Sequence, residues 1–179
     1  MTRLLRLIVT LLMVIALGFI AAALYGPRLE VALPPPPAMT GQIDRIVIEK
    51  SARRMQLFQD GEPIRTYRIA LGFAPEGDKD RQGDGKTPEG VFTVDRRNSG
   101  SAFHLSLGLD YPQPEDRARA AAGGYSPGGD IFIHGQPNAL PEGWKLKGDW
   151  TAGCIALTNS EIREVWEVTP IGTQVEIRP

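Results

Sequence analysis

One cysteine and two histidines are all that 179 residues provide of those two residue types. A lone cysteine, Cys154, excludes any disulfide within the chain, so its thiol is either an inert buried hydrophobe or a chemical tool. No C-x-x-C pair is present, and a structural zinc would have to recruit carboxylates to complete four ligands. Neither a metal nor a cofactor is expected. Positive charge is not in excess either: 20 Lys and Arg stand against 21 Asp and Glu, a formal charge of −1. Without Arg3 and Arg6, 18 basic side chains face 21 acidic ones, a charge of −3, which excludes nucleic acid as a partner. No internal repeat is evident.

Charge is absent altogether from residues 7–26, LIVTLLMVIALGFIAAALYG. As a helix these 20 residues would be about 30 Å long, the thickness of a bilayer core. Arg3 and Arg6 precede the run, so the positive-inside rule keeps them cytoplasmic and carries the chain beyond Pro27 across the membrane. Small residues at 21–23 are followed by Leu24 and Tyr25, a poor cleavage site, which favours an uncleaved anchor over a signal peptide. Residues 1–26 are therefore expected to be a membrane anchor or signal segment, with the inner membrane as partner and a periplasm-facing domain beyond. Residues 27–42 form a linker stiffened by four prolines at 34–37.

Residues 43–179 read as one mainly β domain with short helices. Branched residues at 43–50 predict a strand. Residues 54–59 and 64–71 flank Asp60-Gly61, a hairpin signal in which that pair supplies positive φ. The polar loop 74–89 places Asp78, Asp80, Gly83, Asp84 and Glu89 in an EF-hand-like frame. Pro88, Gln82 and Lys86 spoil that frame, so a solvated turn is expected there. Residues 87–94 lead from a turn into a strand. In 102–109, Phe103, Leu105, Leu107 and Leu109 alternate with His104, Ser106 and Gly108, so His104 either lines a cleft or faces water. Residues 112–124 suggest a helix with Pro114 near its first turn, Glu115 and Asp116 at its positive end and Gly123 as cap. A short strand at 130–134 delivers His134. Thr158 and Glu161 have capping-box spacing before a helix that buries Ile162, Val165 and Trp166. Residues 173–178 close as a last strand.

Residues 131–159 hold the chemistry: IFIHGQPNALPEGWKLKGDWTAGCIALTN. A thiol of ordinary pKa, about 8.5, is mostly protonated at neutral pH and needs a base or a positive field. His134 is the candidate base, and the intervening loop can return Cys154 beside it. Gly153 allows an unusual φ or a close approach, which would let main-chain N–H groups face an oxyanion. Gly135 would leave room for substrate. Trp144 and Trp150 would stack on a ligand or pin the loop. The competing reading is a buried strand, Gly-Cys-Ile-Ala-Leu, with an inert cysteine.

The order of an opening strand, an Asp-Gly hairpin, KTPEGVF (86–92), YPQPEDRARA (111–120), IFIHG (131–135) and TAGCIALTN (151–159) resembles the YkuD-type L,D-transpeptidase catalytic domain over residues 43–178. The resemblance implies a β-rich fold with Cys154 as nucleophile and His134 as base. Thr151, Ala152, Gly153, Gly135, His104 and Trp150 would surround substrate or oxyanion. It implies attack at an L-to-D peptide bond of a peptidoglycan stem whose third residue is usually a diamino acid. D-Alanine leaves and a thioester forms, which an amine or water resolves. Ala156 departs from the arginine that many members carry two residues after the cysteine, and Ala152 from a frequent histidine. The Gly-Cys-x-Ala form, with His104, resembles a branch of envelope amidases. A transpeptidase is thus expected first, a carboxypeptidase or murein amidase second, and a silent murein-binding scaffold is the rival from another class.

Overall fold

The computed structural model describes residues 37–179 together with Arg3, Leu5, Ile8, Val9 and residues 11–17, in two compact units, Met1–Pro37 and Ala38–Pro179. Of the anticipated apolar span, Ile8, Val9 and residues 11–17 are helical and exposed. Residues 18–26 and most of the expected linker lie outside the described residues. Among the described residues no helix is long and apolar enough to cross a membrane.

In the second unit, β1 (Arg45–Glu49) and β2 (Arg54–Gln59) run antiparallel, and β2 turns into β3 (Glu62–Arg68). Asp60 and Gly61 make that turn at φ 53° and 83°, the positive values a two-residue hairpin needs. β3 starts and ends earlier than the predicted 64–71. Strands β4 (Gly90–Asn98), β5 (Ser106–Leu109), β6 (Phe132–His134), β7 (Ile155–Ala156) and β8 (Gln174–Arg178) complete one sheet of order β3-β2-β1-β8-β4-β5-β6-β7. The last strand therefore lies in the middle, parallel to β1 and antiparallel to β4. The sheet's two edges are joined: Ala70, just beyond β3, exchanges hydrogen bonds of 2.9 and 2.8 Å with Ala156 of β7. That closure satisfies backbone groups that edge strands leave open.

Two expectations are corrected in β5. The strand begins only at Ser106, because His104 takes φ 68° and the Gly135 amide donates to the carbonyls of Phe103 and Leu105. All four residues of β5 are buried, so period-2 alternation does not divide a wet face from a dry one where both faces are covered. Helix α1 (Pro114–Gly123) carries Glu115 and Asp116 in its first turn, and Gly124 rather than Gly123 takes the left-handed cap at φ 70°. Helix α2 (Asn159–Val168) opens as anticipated. The Glu161 amide donates to Thr158 Oγ1 at 3.2 Å, and the Thr158 amide to Glu161 Oε2 at 2.9 Å. It buries Ile162, Val165 and Val168; Trp166 stays at the rim under the guanidinium of Arg97, 4.1 Å from its ring centre. The core between helix and sheet is built from Ile46, Ile48, Leu57, Leu107, Ile133 and Ile155 among others.

The loop 74–89 is not a simple solvated turn. Lys50 at the end of β1, 3% exposed, donates from Nζ to the carbonyls of Gly77 at 2.6 Å and Thr87 at 2.9 Å and to Glu89 Oε1 at 2.8 Å. All three ammonium hydrogens are thereby used. Lys79, equally buried, donates to Asp84 Oδ1 at 2.7 Å. The amides of Asp80, Arg81 and Lys86 donate to the same carboxylate at 2.8, 3.0 and 3.0 Å. Burial opposes ionisation of Asp84, but the Lys79 ammonium and these amides outweigh it and hold the carboxyl down to about 2. The EF-hand-like frame thus folds around an internal lysine.

Truncating one partner of a buried, fully hydrogen-bonded charge is costly. Lys50→Ala is expected to lower unfolding stability by about 3 kcal/mol, read by urea denaturation. A change under about 0.5 kcal/mol would show that the loop is held by other means.

Candidate active site

Thr151 closes the turn that presents the thiol. Its Oγ1 accepts from the Gly153 amide at 3.1 Å and donates to the Cys154 carbonyl at 2.7 Å. Gly153 sits at φ 137°, and a Cβ there would lie 2.6 Å from the Lys86 carbonyl oxygen. Glycine is required on both counts. Behind it, the Gly72 amide donates to Thr87 Oγ1 at 3.0 Å, so the KTPE stretch packs against the back of the turn that carries the thiol. The Gly153 N–H is spent on Thr151, so the expected main-chain donors to an oxyanion would be other N–H groups near Cys154.

β6 and β7 run parallel with Ile133 opposite Ile155 and His134 opposite Ala156. Carried one residue back, that register sets Cys154 level with Phe132, two positions from His134, and strand alternation places the pair on one face. Both line a cavity of about 380 Å³. Its walls include Phe103, Phe132, Trp150 and Thr151, together with Asn98, Ser101 and Ser106. The thiol donates to the Asp130 carbonyl at 3.4 Å and not to His134. Hydrogen bonds of catalytic pairs are commonly looser before substrate is bound.

His134 is 3% exposed. Its ring lies 4.6 Å from Phe103 and 5.7 Å, edge to face, from Trp150. Nδ1 stands 2.7 Å from the Gly135 carbonyl oxygen. A carbonyl only accepts, so Nδ1 carries the proton and Nε2 of the neutral ring is left able to accept one. Burial pushes the His134 pKa down, with the Gly135 carbonyl opposing. Burial pushes the Cys154 thiol up. The Phe132 amide opposes that rise, the Asp130 carboxylate adds to it, and Lys79 and Arg96 oppose it. Opposite shifts of this kind keep both groups neutral at rest.

The other anticipated residues divide. Thr151, Ala152 and Trp150 line the thiol's cavity. Trp150 keeps its indole N–H buried without a partner, whereas Trp144 is 67% exposed on the loop. Gly135 leaves no room for substrate: a Cβ there would meet Asn159 Oδ1 at 2.7 Å and Ile162 and His104 carbons at 3.0 Å. His104 does not line the cavity. Arg163 Nη1 donates to its Nε2 at 3.0 Å, on the surface beside α2. Ala156 lines a different pocket, of about 420 Å³, beneath residues 145–149. A guanidinium at position 156 would therefore have to reach around from that pocket to touch the thiol. Phe103, Phe132, Asp130 and Arg96 are site residues that the sequence did not single out. The available signal was Gly108 inside a strand, which marks a close approach by a neighbour.

A profile of the YkuD family, described as the L,D-transpeptidase catalytic domain, matches residues 43–177. YafK of Escherichia coli K12, whose name is "Putative L,D-transpeptidase YafK", is 28% identical over 128 residues, 68% of this chain and 45% of YafK. The helical cell shape determining protein Pgp2 of Campylobacter jejuni is similar in structure, with a TM-score of 0.60, 26% identity and coverage of 77% of this chain and 47% of its own. Bd1075 of Bdellovibrio bacteriovorus shares the fold at a TM-score of 0.53 and 19% identity, over 77% of this chain and 48% of its own. The chain spans about half the length of these relatives.

Gly153→Ala is expected to displace the turn and slow alkylation of Cys154 by iodoacetamide at least about tenfold, with loss of about 1–3 kcal/mol of stability. An unchanged rate would contradict the packing described. The neutral pair sets the pH profile: the alkylation rate should still climb through pH 9, since the thiol lies above the ordinary value of about 8.5. A plateau by pH 7 would indicate a resting thiolate–imidazolium pair.

Proposed function

This chain belongs to the YkuD family of L,D-transpeptidase catalytic domains, and from that premise we propose that it is a cysteine acyltransferase acting on peptidoglycan stem peptides in the cell envelope. The observation that carries the reading is the shared cavity of Cys154 and His134, with Nδ1 committed to Gly135 and Nε2 left to take a proton. His134 accepts the thiol proton as Cys154 Sγ attacks the carbonyl of the third stem residue. The same proton passes to the departing amine of D-alanine, the C–N bond breaks, and a thioester remains. An acceptor amine then loses its proton to Nε2 and attacks the thioester. The peptide bond forms, and the thiol is regenerated by that proton.

Transpeptidation is the leading outcome. Hydrolysis, with water in place of the amine, is the second, and the observation favouring it is Ala156: the family's frequent guanidinium is missing from the segment that carries the nucleophile. The uncharged run 7–26 behind Arg3 and Arg6 supports a domain tethered to the inner membrane and facing the periplasm. Pgp2 is named as a determinant of helical cell shape; a role in shaping the wall is part of the same proposal.

Incubation of the full chain with a tetrapeptide muropeptide and a labelled D-amino acid is expected to give exchange product, abolished in Cys154→Ala and lowered about 10²-fold or more in His134→Ala. Shortened stems without exchange would assign the hydrolase. Sacculus binding with no turnover in the wild type would assign the silent scaffold instead. The acid limb of kcat/KM should fall below pH 6.5, the ordinary imidazole value, because burial favours the neutral ring. An inflection above 7 would remove His134 as the base.

A further inference from the structure

Arg96, on β4, reaches across β5 instead of out into solvent. Its partner in the ladder is Gly108. A Cβ at Gly108 would come within 2.4 Å of Arg96 Cγ and 2.6 Å of its Nε, so the absence of a side chain lets the arginine through. The guanidinium then lies 4.5 Å from the centre of the Phe132 ring. Phe132 is the residue of β6 that stands level with Cys154. Nη1 donates to both Asp95 oxygens, at 2.7 and 3.0 Å, and to the Leu109 carbonyl at 3.1 Å. Nη2 has two hydrogens and makes a 3.4 Å contact with Asp130 Oδ1, on a side chain that is 90% exposed. One edge of the guanidinium fork is free for a ligand.

Arg96 also borders a further cavity of about 380 Å³, lined by Asp95, Asp110, Arg117 and Asp130 among others. Asp130 lines this cavity and the thiol's cavity alike, so the two adjoin. Their chemistries differ. The thiol's cavity is walled largely by rings, while its neighbour offers two guanidiniums and three carboxylates, a lining matched to a group that bears both charges. Neighbouring strands are about 4.8 Å apart, which puts the guanidinium over Phe132 roughly 5–10 Å from the thiol. A diamino-acid side chain of three methylenes, measured from the attacked carbonyl carbon to a terminal carboxylate, spans about 7 Å.

We propose that this adjoining cavity binds the far end of the diamino-acid side chain on the residue whose carbonyl Cys154 attacks, with Arg96 as the carboxylate receptor and specificity-determining residue. The assignment rests on the acyl-transfer reading above. Phe132 floors the methylenes, Arg96 receives the carboxylate through its free edge, and Asp130 takes the ammonium. A side chain ending in ammonium alone leaves Arg96 without the group it is set to bind, and sites of that kind reject the shorter analogue.

The test compares D-alanine release from two tetrapeptide stems that differ at the third residue, one with meso-diaminopimelate and one with lysine. The full chain is expected to prefer diaminopimelate by at least about tenfold in kcat/KM, chiefly through KM. In Arg96→Gln the preference should fall to about one, and Arg96→Lys, which keeps the charge but not the fork, should restore part of it. Equal kcat/KM for both stems in the wild type, or an undiminished preference in Arg96→Gln, overturns the assignment and leaves the acyl-transfer reading standing. Release from neither stem overturns both. The Arg96→Lys variant carries the comparison if Arg96→Gln does not fold.

Discussion

The reacting end of this domain depends on a close backbone approach: the Lys86 carbonyl stands where any side chain at position 153 would have to be. That contact fixes the turn from Thr151 to Cys154 from behind. It is supported in turn by a loop whose backbone hangs on two buried ammonium groups. Lys50 gathers Gly77, Thr87 and Glu89, and Lys79 with three amides gathers Asp84. A buried lysine is a poor source of net stability, since desolvation offsets most of its Coulombic gain. What it supplies here is direction. Each ammonium converges polar groups from distant parts of one loop, and the loop so held lies behind the turn that carries the thiol.

The same packing decides the resting chemistry. His134 and Cys154 lie among Phe103, Phe132 and Trp150, and the low polarity of those neighbours disfavours charge on either group. The Gly135 carbonyl holds the imidazole in one tautomer and so sets which nitrogen receives a proton. A thiol that stays protonated until substrate arrives is protected from adventitious oxidation and alkylation. In the proposed mechanism the proton moves when the carbonyl is in place. Lys79 and Arg96 bring positive potential to the sulfur from outside the segment that carries it, with no arginine at position 156.

Much of the architecture was legible in the chain. Asp60-Gly61 specified a hairpin because only a few residues tolerate positive φ in succession, and Thr158 with Glu161 specified a helix start through two reciprocal hydrogen bonds. Those signals are local. His134 and Cys154 were expected to meet across the loop between them, and they line one cavity. What could not be read is set by contacts across the sheet. Gly135 looked like space for substrate and is instead a contact with Asn159, His104 and Ile162. His104 looked like a neighbour of the site and pairs with Arg163. The loop 74–89 looked solvated, because nothing in its composition reveals that Lys50, far upstream, anchors it. Arg96 was invisible for the same reason: its reach across Gly108 exists only once β4 and β5 are paired.

The central claim is that Cys154 forms a covalent acyl bond with a stem peptide using His134 as its base. Intact-mass measurement of the full chain, quenched in acid during turnover of a defined tetrapeptide muropeptide, tests it most directly. The expected result is a species heavier by the muropeptide less D-alanine, located on Cys154, absent in Cys154→Ala and slow to appear in His134→Ala. Consumption of the muropeptide with the protein mass unchanged, or acylation that persists in Cys154→Ala, would contradict it.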